Sequence, residues 1–333
     1  MGFMTKWGGP FGLIPRNLGD VYFVSPAASY TVEGRSYDAS DNNDGKSPER
    51  ALRTVAQAIT NATANAGDVI VLLNGTHTVT ATIAVSKAGL TFWGVSSGPQ
   101  TANTLRPASI LTSTGTTDEL LNITANNAEF AYLTIRPTTA FDAVSFQTGD
   151  AALSGPYFHH CHFDLYTPAV NIQTVGINFA ARSSANTNDL ASITLATNSI
   201  FGALVEDCTF ESDGAQGTAV KVATAFVTIR RCRFIGTAGT WATPVEYATS
   251  SDNCLMDDCV FSTTSTMTMG VSGAFANLAD GVTIRNTDFG LGGGTSADAI
   301  RGFTAGECRV INCLIGSTAN GTTSATFITR MNG

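Results

Sequence analysis

Charged residues are scarce in this chain of 333 residues. Asp, Glu, Lys and Arg make up 13% of it, about half the usual globular share of ~25%. The balance is acidic, with 18 Lys and Arg against 26 Asp and Glu, for a formal charge of −8. That argues against a nucleic-acid partner, because phosphate binding needs a basic face. Long apolar runs are missing too. None approaches the ~18 residues that cross a membrane as a helix, so no membrane partner is expected. Met1–Gly12 carries one Lys and no apolar stretch behind it, which reads as synthesis in a cytoplasm without an export signal. What fills the polar positions is Thr, Ser, Asn and Gly, residues suited to strands and tight turns. The composition predicts an all-β body.

Paired cysteines are also lacking. The seven present, Cys161, Cys208, Cys232, Cys254, Cys259, Cys308 and Cys313, are odd in number and show no disulfide spacing. Cys254-x4-Cys259 and Cys308-x4-Cys313 have no His or Cys at finger-like distance. A free thiol shielded from water behaves as a small hydrophobe, so these are expected in the core.

What the chain does have is a recurring rung. In A-F-V-T-I-R-R-C-R-F-I-G, Ala225–Gly236, the apolar residues Val227, Ile229, Cys232 and Phe234 are spaced by two, three and two. A flat strand keeps period two, so the step of three marks a bend between two short strands. The pattern returns at Ala203–Phe210, Cys254–Phe261, Val282–Phe289 and Cys308–Ile315, with looser copies at Ala128–Ile135 and Phe158–Phe163. The bend residues are Tyr132, His160, Asp207, Arg231, Asp258, Asn286 and Asn312. Four of the seven are Asn or Asp, which tolerate left-handed backbone best. The residues just after them lie 28, 47, 24, 27, 28 and 26 apart. The value of 47 reads as two turns, with a degenerate copy inside Gly176–Ser199. A period near 26 with Gly-rich corners predicts a parallel β-solenoid of about ten turns, a rod roughly 45–50 Å long.

Ahead of the rungs, residues 1–40 read as an arm, residues 41–66 as a loop and capping helix, and residues 67–333 as the solenoid. Asp41 and Asp44 sit in a loop of turn-forming residues whose spacing does not match a calcium-binding hand. Ser47 is placed to cap a helix starting at Pro48, with Ala51, Leu52, Val55, Ala58, Ile59 and Ala62 on one face. That helix is expected to end near Asn65–Gly67 and to plug the open end of the stack. Strands are predicted at Val21–Val24, Asp68–Leu73, His77–Val85 and from Gly89.

With those segments in view, the chain resembles the right-handed parallel β-helix proteins of the pectate-lyase-like superfamily. D-G-K-S-P-E-R-A-L-R-T-V-A-Q-A-I at Asp44–Ile59 resembles their capping segment. A-G-D-V-I-V-L-L-N-G-T-H at Ala66–His77 and K-A-G-L-T-F-W-G at Lys87–Gly94 resemble their first turns, and the I-x-[ND]-C-x-F rungs their later ones. The likeness spans about Asp41 to Ile315 and implies a single-stranded right-handed parallel β-helix with an N-terminal capping helix and an extended arm. This scaffold hosts lyases, hydrolases, tailspikes and inert capsid proteins, so fold alone does not set function.

A lyase of this family would imply clustered acidic calcium ligands and an Arg or Lys base on one outer face. The column two residues past each bend, His162, Thr209, Arg233, Val260, Asp288 and Leu314, offers no such cluster. Glu206 and Asp207, with Asp257 and Asp258 two turns on, come nearest to a carboxylate pair. Arg230 and Arg231 fall between them and predict a charge ladder instead. His160 and His162 are the weak metal candidates, expected to share an outward face but lacking a third ligand. No nucleophile elbow, phosphate loop or HExxH motif occurs.

These features predict a non-enzymatic virion protein without a cofactor, a capsid decoration or cement protein on the exterior of a tailed phage. Its partners would be the major capsid protein and itself, as a homotrimer. Docking is assigned to the arm, through Phe3, Trp7, Phe11, Leu13, Ile14 and Arg16. The alternative is a tailspike-type β-helix that binds or cleaves host surface polysaccharide.

Overall fold

All seven bend residues named above have left-handed backbone: Tyr132 (φ 56°), His160 (53°), Asp207 (51°), Arg231 (50°), Asp258 (53°), Asn286 (50°) and Asn312 (50°). The computed structural model describes residues 19–95, 106–114, 119–137, 143–146, 153–165, 175–181, 200–212, 218–237, 240–241, 243–247, 251, 253–263, 266–273, 281–289, 295–301 and 308–315. At each corner but the last the backbone N–H donates to a carbonyl of the next turn, as in Asp207 to Arg230 at 3.1 Å and Arg231 to Asp257 at 2.9 Å. The corner is thus tied into the stack, and none of its donors is wasted.

These corners join two of three parallel sheets. The first holds ten strands, in order Val21–Val24, Val69–Leu72, Thr91–Gly94, Glu129–Ala131, Tyr157–His159, Leu204–Glu206, Thr228–Arg230, Cys254–Asp257, Val282–Arg285 and Cys308–Ile311. The second holds nine, from Gly75–Val79 to Leu314–Ile315. A third runs from Ile83–Val85 through Val144–Phe146 and Val220 of Thr218–Val222 to Thr266–Gly273. Pairing strictly with the preceding and following turn, in parallel, makes this a parallel β-helix with one helix, Val55–Asn61, among the described residues.

In-register parallel pairing stacks like positions at ~4.8 Å, and the core shows it. Phe92, Phe130 and Phe158 stack at 4.8 and 4.9 Å between centroids. Phe163, Phe210, Phe234, Phe261 and Phe289 form a second stack at 4.6 to 5.2 Å. Each buried ring stabilises by ~1.5–3 kcal/mol, with a further ~0.5–1.5 kcal/mol per stacked pair. Cys161, Cys208, Cys232, Cys254 and Cys259 are buried, as the rung pattern predicts, whereas Cys308 and Cys313 are half-buried. Burial pushes the Cys208 and Cys259 thiols well up, which makes them inert as nucleophiles.

Several local expectations are corrected. The helix starts at Val55, capped by Thr54, whose side chain accepts from Gln57 N at 3.1 Å. Pro48–Arg50 form only a 3-10 turn, and Ser47 makes no side-chain cap. The cause is strand pairing: Leu52 N donates to Phe23 O at 2.8 Å and Ser25 N to Leu52 O at 2.9 Å. That bridge holds Ala51 and Leu52 extended, so the helix cannot begin before it. Val55, Ala58 and Ile59 then bury into the core of the first turn. The span His77–Val85 is two strands, Gly75–Val79 and Ile83–Val85, in different sheets.

The 47-residue interval is one turn, not two. Tyr157 pairs directly with Leu204 and His162 with Thr209. Among the described residues the excursion contributes Val175–Ala181 to the third sheet. At the other end, Val21–Val24 lies within the stretch read as arm, yet it is the first strand of the first sheet. It is followed by a hairpin, Ser29–Val32 with Arg35–Asp38. Phe23, Ala51, Val69, Val71, Trp93, Val95 and Ala131 form a second apolar cluster on the outer face of that sheet, with Tyr30 and Tyr132 packed against it.

Candidate functional site

The register that stacks the core also stacks the outward side chains of the first sheet. One column runs Trp93, Ala131, His159, Glu206, Arg230, Asp257, Arg285. A second brings Thr91, Glu129 and Tyr157 together. The corner column adds Tyr132, His160, Asp207 and Arg231. Beyond the apolar cluster, these columns meet in a patch of rings and ionisable groups.

At its centre is a chain of three groups. Glu129 Oε1 lies 2.8 Å from His159 Nε2, and Glu129 Oε2 accepts from Thr91 Oγ1 at 2.9 Å. His159 Nδ1 lies 3.0 Å from His160 Nδ1. A carboxylate only accepts, so His159 Nε2 carries a proton, and the two Nδ1 atoms share one more. His159 holds the Glu129 carboxyl below the usual range. Burial, then the neighbouring His159 and Arg231, push the His160 imidazole down, favouring its neutral form. The His160 side chain is 37% exposed, and its Nε2 is 3.9 Å from Asp207 Oδ2, beyond hydrogen-bond reach.

Rings frame this chain. Tyr132 stacks on His160 at 4.8 Å and 22°. Tyr157 stacks on His159 at 4.3 Å and 23°. Trp93 is buried and meets Tyr132 at 4.8 Å. Tyr157 OH donates to Glu206 Oε2 at 2.8 Å. Glu206 Oε1 also takes Arg230 Nη2 at 2.8 Å and Arg231 Nη2. Arg231 grips Asp207 with Nε and Nη2 at 2.9 and 3.0 Å. One turn further, Asp257 accepts from Arg285 at 2.8 Å and Asn286 at 3.0 Å, and Arg285 holds its carboxyl low. Glu206, Arg230 and Asp257 stand in register as predicted, with Arg230 paired to Glu206 and Asp257 to Arg285.

The other sequence candidates are dispersed. His162 belongs to the second sheet, is buried, and binds Glu211 Oε2 at 3.1 Å. Glu211 also pairs with Arg106. His160 and His162 therefore face different partners and do not form a two-histidine platform, because His160 is itself the corner and His162 opens the second-sheet strand beyond it. No group of three or more His, Cys, Asp or Glu placed to hold a metal occurs among the described residues. The column from His162 to Leu314 is in register as predicted. Asp41 is a structural acceptor for Arg53 N, Thr54 N and Thr54 Oγ1. Asp44 accepts from Lys46 N and pairs with Arg50. Phe3, Trp7, Phe11, Leu13, Ile14 and Arg16 lie outside the described residues.

No protein-family model matches the chain, and no curated protein matches it either. Among solved structures it is similar to the pectin methylesterase of Erwinia chrysanthemi, with TM-score 0.46 and 13% identity over 83% of this chain and 80% of that one. It is similar to a pectate lyase, with TM-score 0.42 and 11% identity over 90% and 78%. A protein of Geobacillus virus E2 gives TM-score 0.30 and 10% identity over 78% and 56%. At these identities the likeness concerns fold alone.

The expectation of a non-enzymatic protein is corrected here. The first two of these structures are enzymes by name, so the scaffold does not exclude catalysis. Nothing in the sequence pattern links Glu129 to the histidine run His159, His160 and His162, yet Glu129 and His159, 30 residues apart in the chain, are in hydrogen-bond contact in the fold.

Proposed function

We propose that this β-helix engages a polysaccharide along the outer face of its first sheet. The observation that carries the reading is the half-exposed stack of Tyr132 on His160, flanked by Tyr157, Glu206, Asp207 and Arg231. A sugar ring offers an apolar C–H face to such rings and a rim of hydroxyls to paired carboxylates and guanidiniums. A few polar groups converging beside apolar surface are the usual make-up of a ligand site. Binding to a glycan array tests it. Tyr132→Asn keeps a residue suited to the corner and should reduce glycan retention at least tenfold. Equal retention by the variant would count against this face.

The setting we propose is the exterior of a virion, with Met1–Arg16 docking on the major capsid protein and the rods associating as homotrimers. Its support is sequence alone: the apolar arm with Trp7 and Phe11, and the scarcity of charge. Removing Met1–Arg16 leaves the first strand at Val21 intact. The shortened protein should fold yet fail to join particles, and unchanged incorporation would remove the docking role.

A further inference from the structure

We propose that Glu129, His159 and His160 form a proton relay that makes His160 Nε2 a general base for releasing acyl groups from neutral, O-acylated sugars at this face. The inference rests on the polysaccharide reading above and adds a reaction to it.

The geometry sets the tautomers. Glu129 takes the proton of His159 Nε2, so His159 Nδ1 accepts from His160 Nδ1–H across 3.0 Å. His160 Nε2 is left with a lone pair at the more exposed end, uncommitted to Asp207. When Nε2 gains a proton, the positive charge is shared with His159 and stabilised by Glu129. This is how a carboxylate behind an imidazole supports a base. The groups facing His160 are Tyr132 from the preceding turn, His159 beside it, Asp207 from the following turn and Arg231 from the turn after that. Burial keeps the imidazole neutral near pH 7, the state a base requires.

The remaining charges narrow the chemistry. The carboxylate oxygens of Glu206 and Asp207 already accept from Arg230, Arg231 and Tyr157, which leaves none of them turned toward a glycosidic oxygen. Arg230, Arg231 and Arg285 are each paired with carboxylates. A uronate would find no unpaired cation among them, which favours a neutral sugar. In the step itself, His160 Nε2 takes a proton from water while the water oxygen bonds to the acyl carbon. The tetrahedral intermediate collapses, the bond from acyl carbon to sugar oxygen breaks, and the proton passes from His160 to that oxygen. A carboxylic acid and a sugar hydroxyl result.

The probes are p-nitrophenyl acetate and per-O-acetylated cello- and xylo-oligosaccharides, with acetate release measured against pH. The wild-type protein should release acetate from both, at a rate that rises with pH through one ionisation and then levels. His160→Asn preserves the corner, since Asn occupies it at Asn286 and Asn312, and should slow release about 10²-fold or more. Glu129→Gln should lower the plateau and move the rise to lower pH, which a purely structural role would not do. No acetate from either probe, or equal rates for wild type and His160→Asn, overturns the relay while glycan retention stands apart. Acetate from the nitrophenyl ester alone, with no glycan retained, overturns the sugar assignment and with it the polysaccharide reading.

Discussion

Phe226 adopts the backbone conformation of Asn253 one turn later, φ 60° against 50°. Both belong to a second ladder of left-handed corners, two residues before the outward position that opens each first-sheet strand. Asn127, Gly155, Gly202 and Gly281 fill other steps of it. Phe226 alone places an exposed aromatic there. A side chain larger than Asn costs ~1–2 kcal/mol in this region. Phe226→Asn should therefore stabilise the protein by about 1 kcal/mol, read as a higher denaturant midpoint with unchanged slope.

Phe210 sits between Phe163 and Phe234 at 4.6 and 5.2 Å. Phe210→Ala removes a ring that three turns share, and in-register strands cannot close over the gap. The expected loss is ~3–5 kcal/mol, measured by equilibrium unfolding.

His77 is buried with Nε2 2.8 Å from Leu73 O, and burial lowers its pKa to about 4 from 6.5. The unfolded chain thus binds the proton first on acidification. Stability from the neutral ring is complete above pH 6.5 and declines down to about pH 4, by on the order of 3 kcal/mol. His77→Gln should flatten that part of the stability–pH curve. Parallel curves for variant and wild type would show that His77 is not its source.

Arg285 and Asp257 pair in the open, with Arg285 45% exposed. Such pairs contribute ~0–1 kcal/mol. Arg285→Ala should leave stability nearly unchanged, while Glu206→Ala, which removes a buried carboxylate shared by Arg230, Arg231 and Tyr157, should cost clearly more. Thermal unfolding of both variants in one buffer makes the comparison.

The sequence carried the corner at Tyr132 through Asn312 because a fixed step of three in a period-two pattern has one physical cause. The second corner ladder escaped because Gly155, Phe226 and Asn253 share no side-chain type; what they share is a backbone angle. The 47-residue interval misled for a related reason, since length alone cannot distinguish two turns from one turn with an excursion. Helix periodicity over Ala51–Ala62 was real only from Val55, where Leu52 no longer competes by bridging Phe23. The site was legible in parts. Glu206, Arg230 and Asp257 followed from the marker count and His159 shares their column, but Glu129 lies two residues earlier in its strand and meets His159 only through register.

Because the strands of each turn pair only with the turn before and the turn after, damage and growth are both local. A lesion such as Phe210→Ala weakens two interfaces and leaves distant ones intact, and folding can spread from any pair of adjacent turns. Lineages of such a chain can lengthen or shorten by whole turns, carrying the face around His160 unchanged while the rod adapts to a new reach.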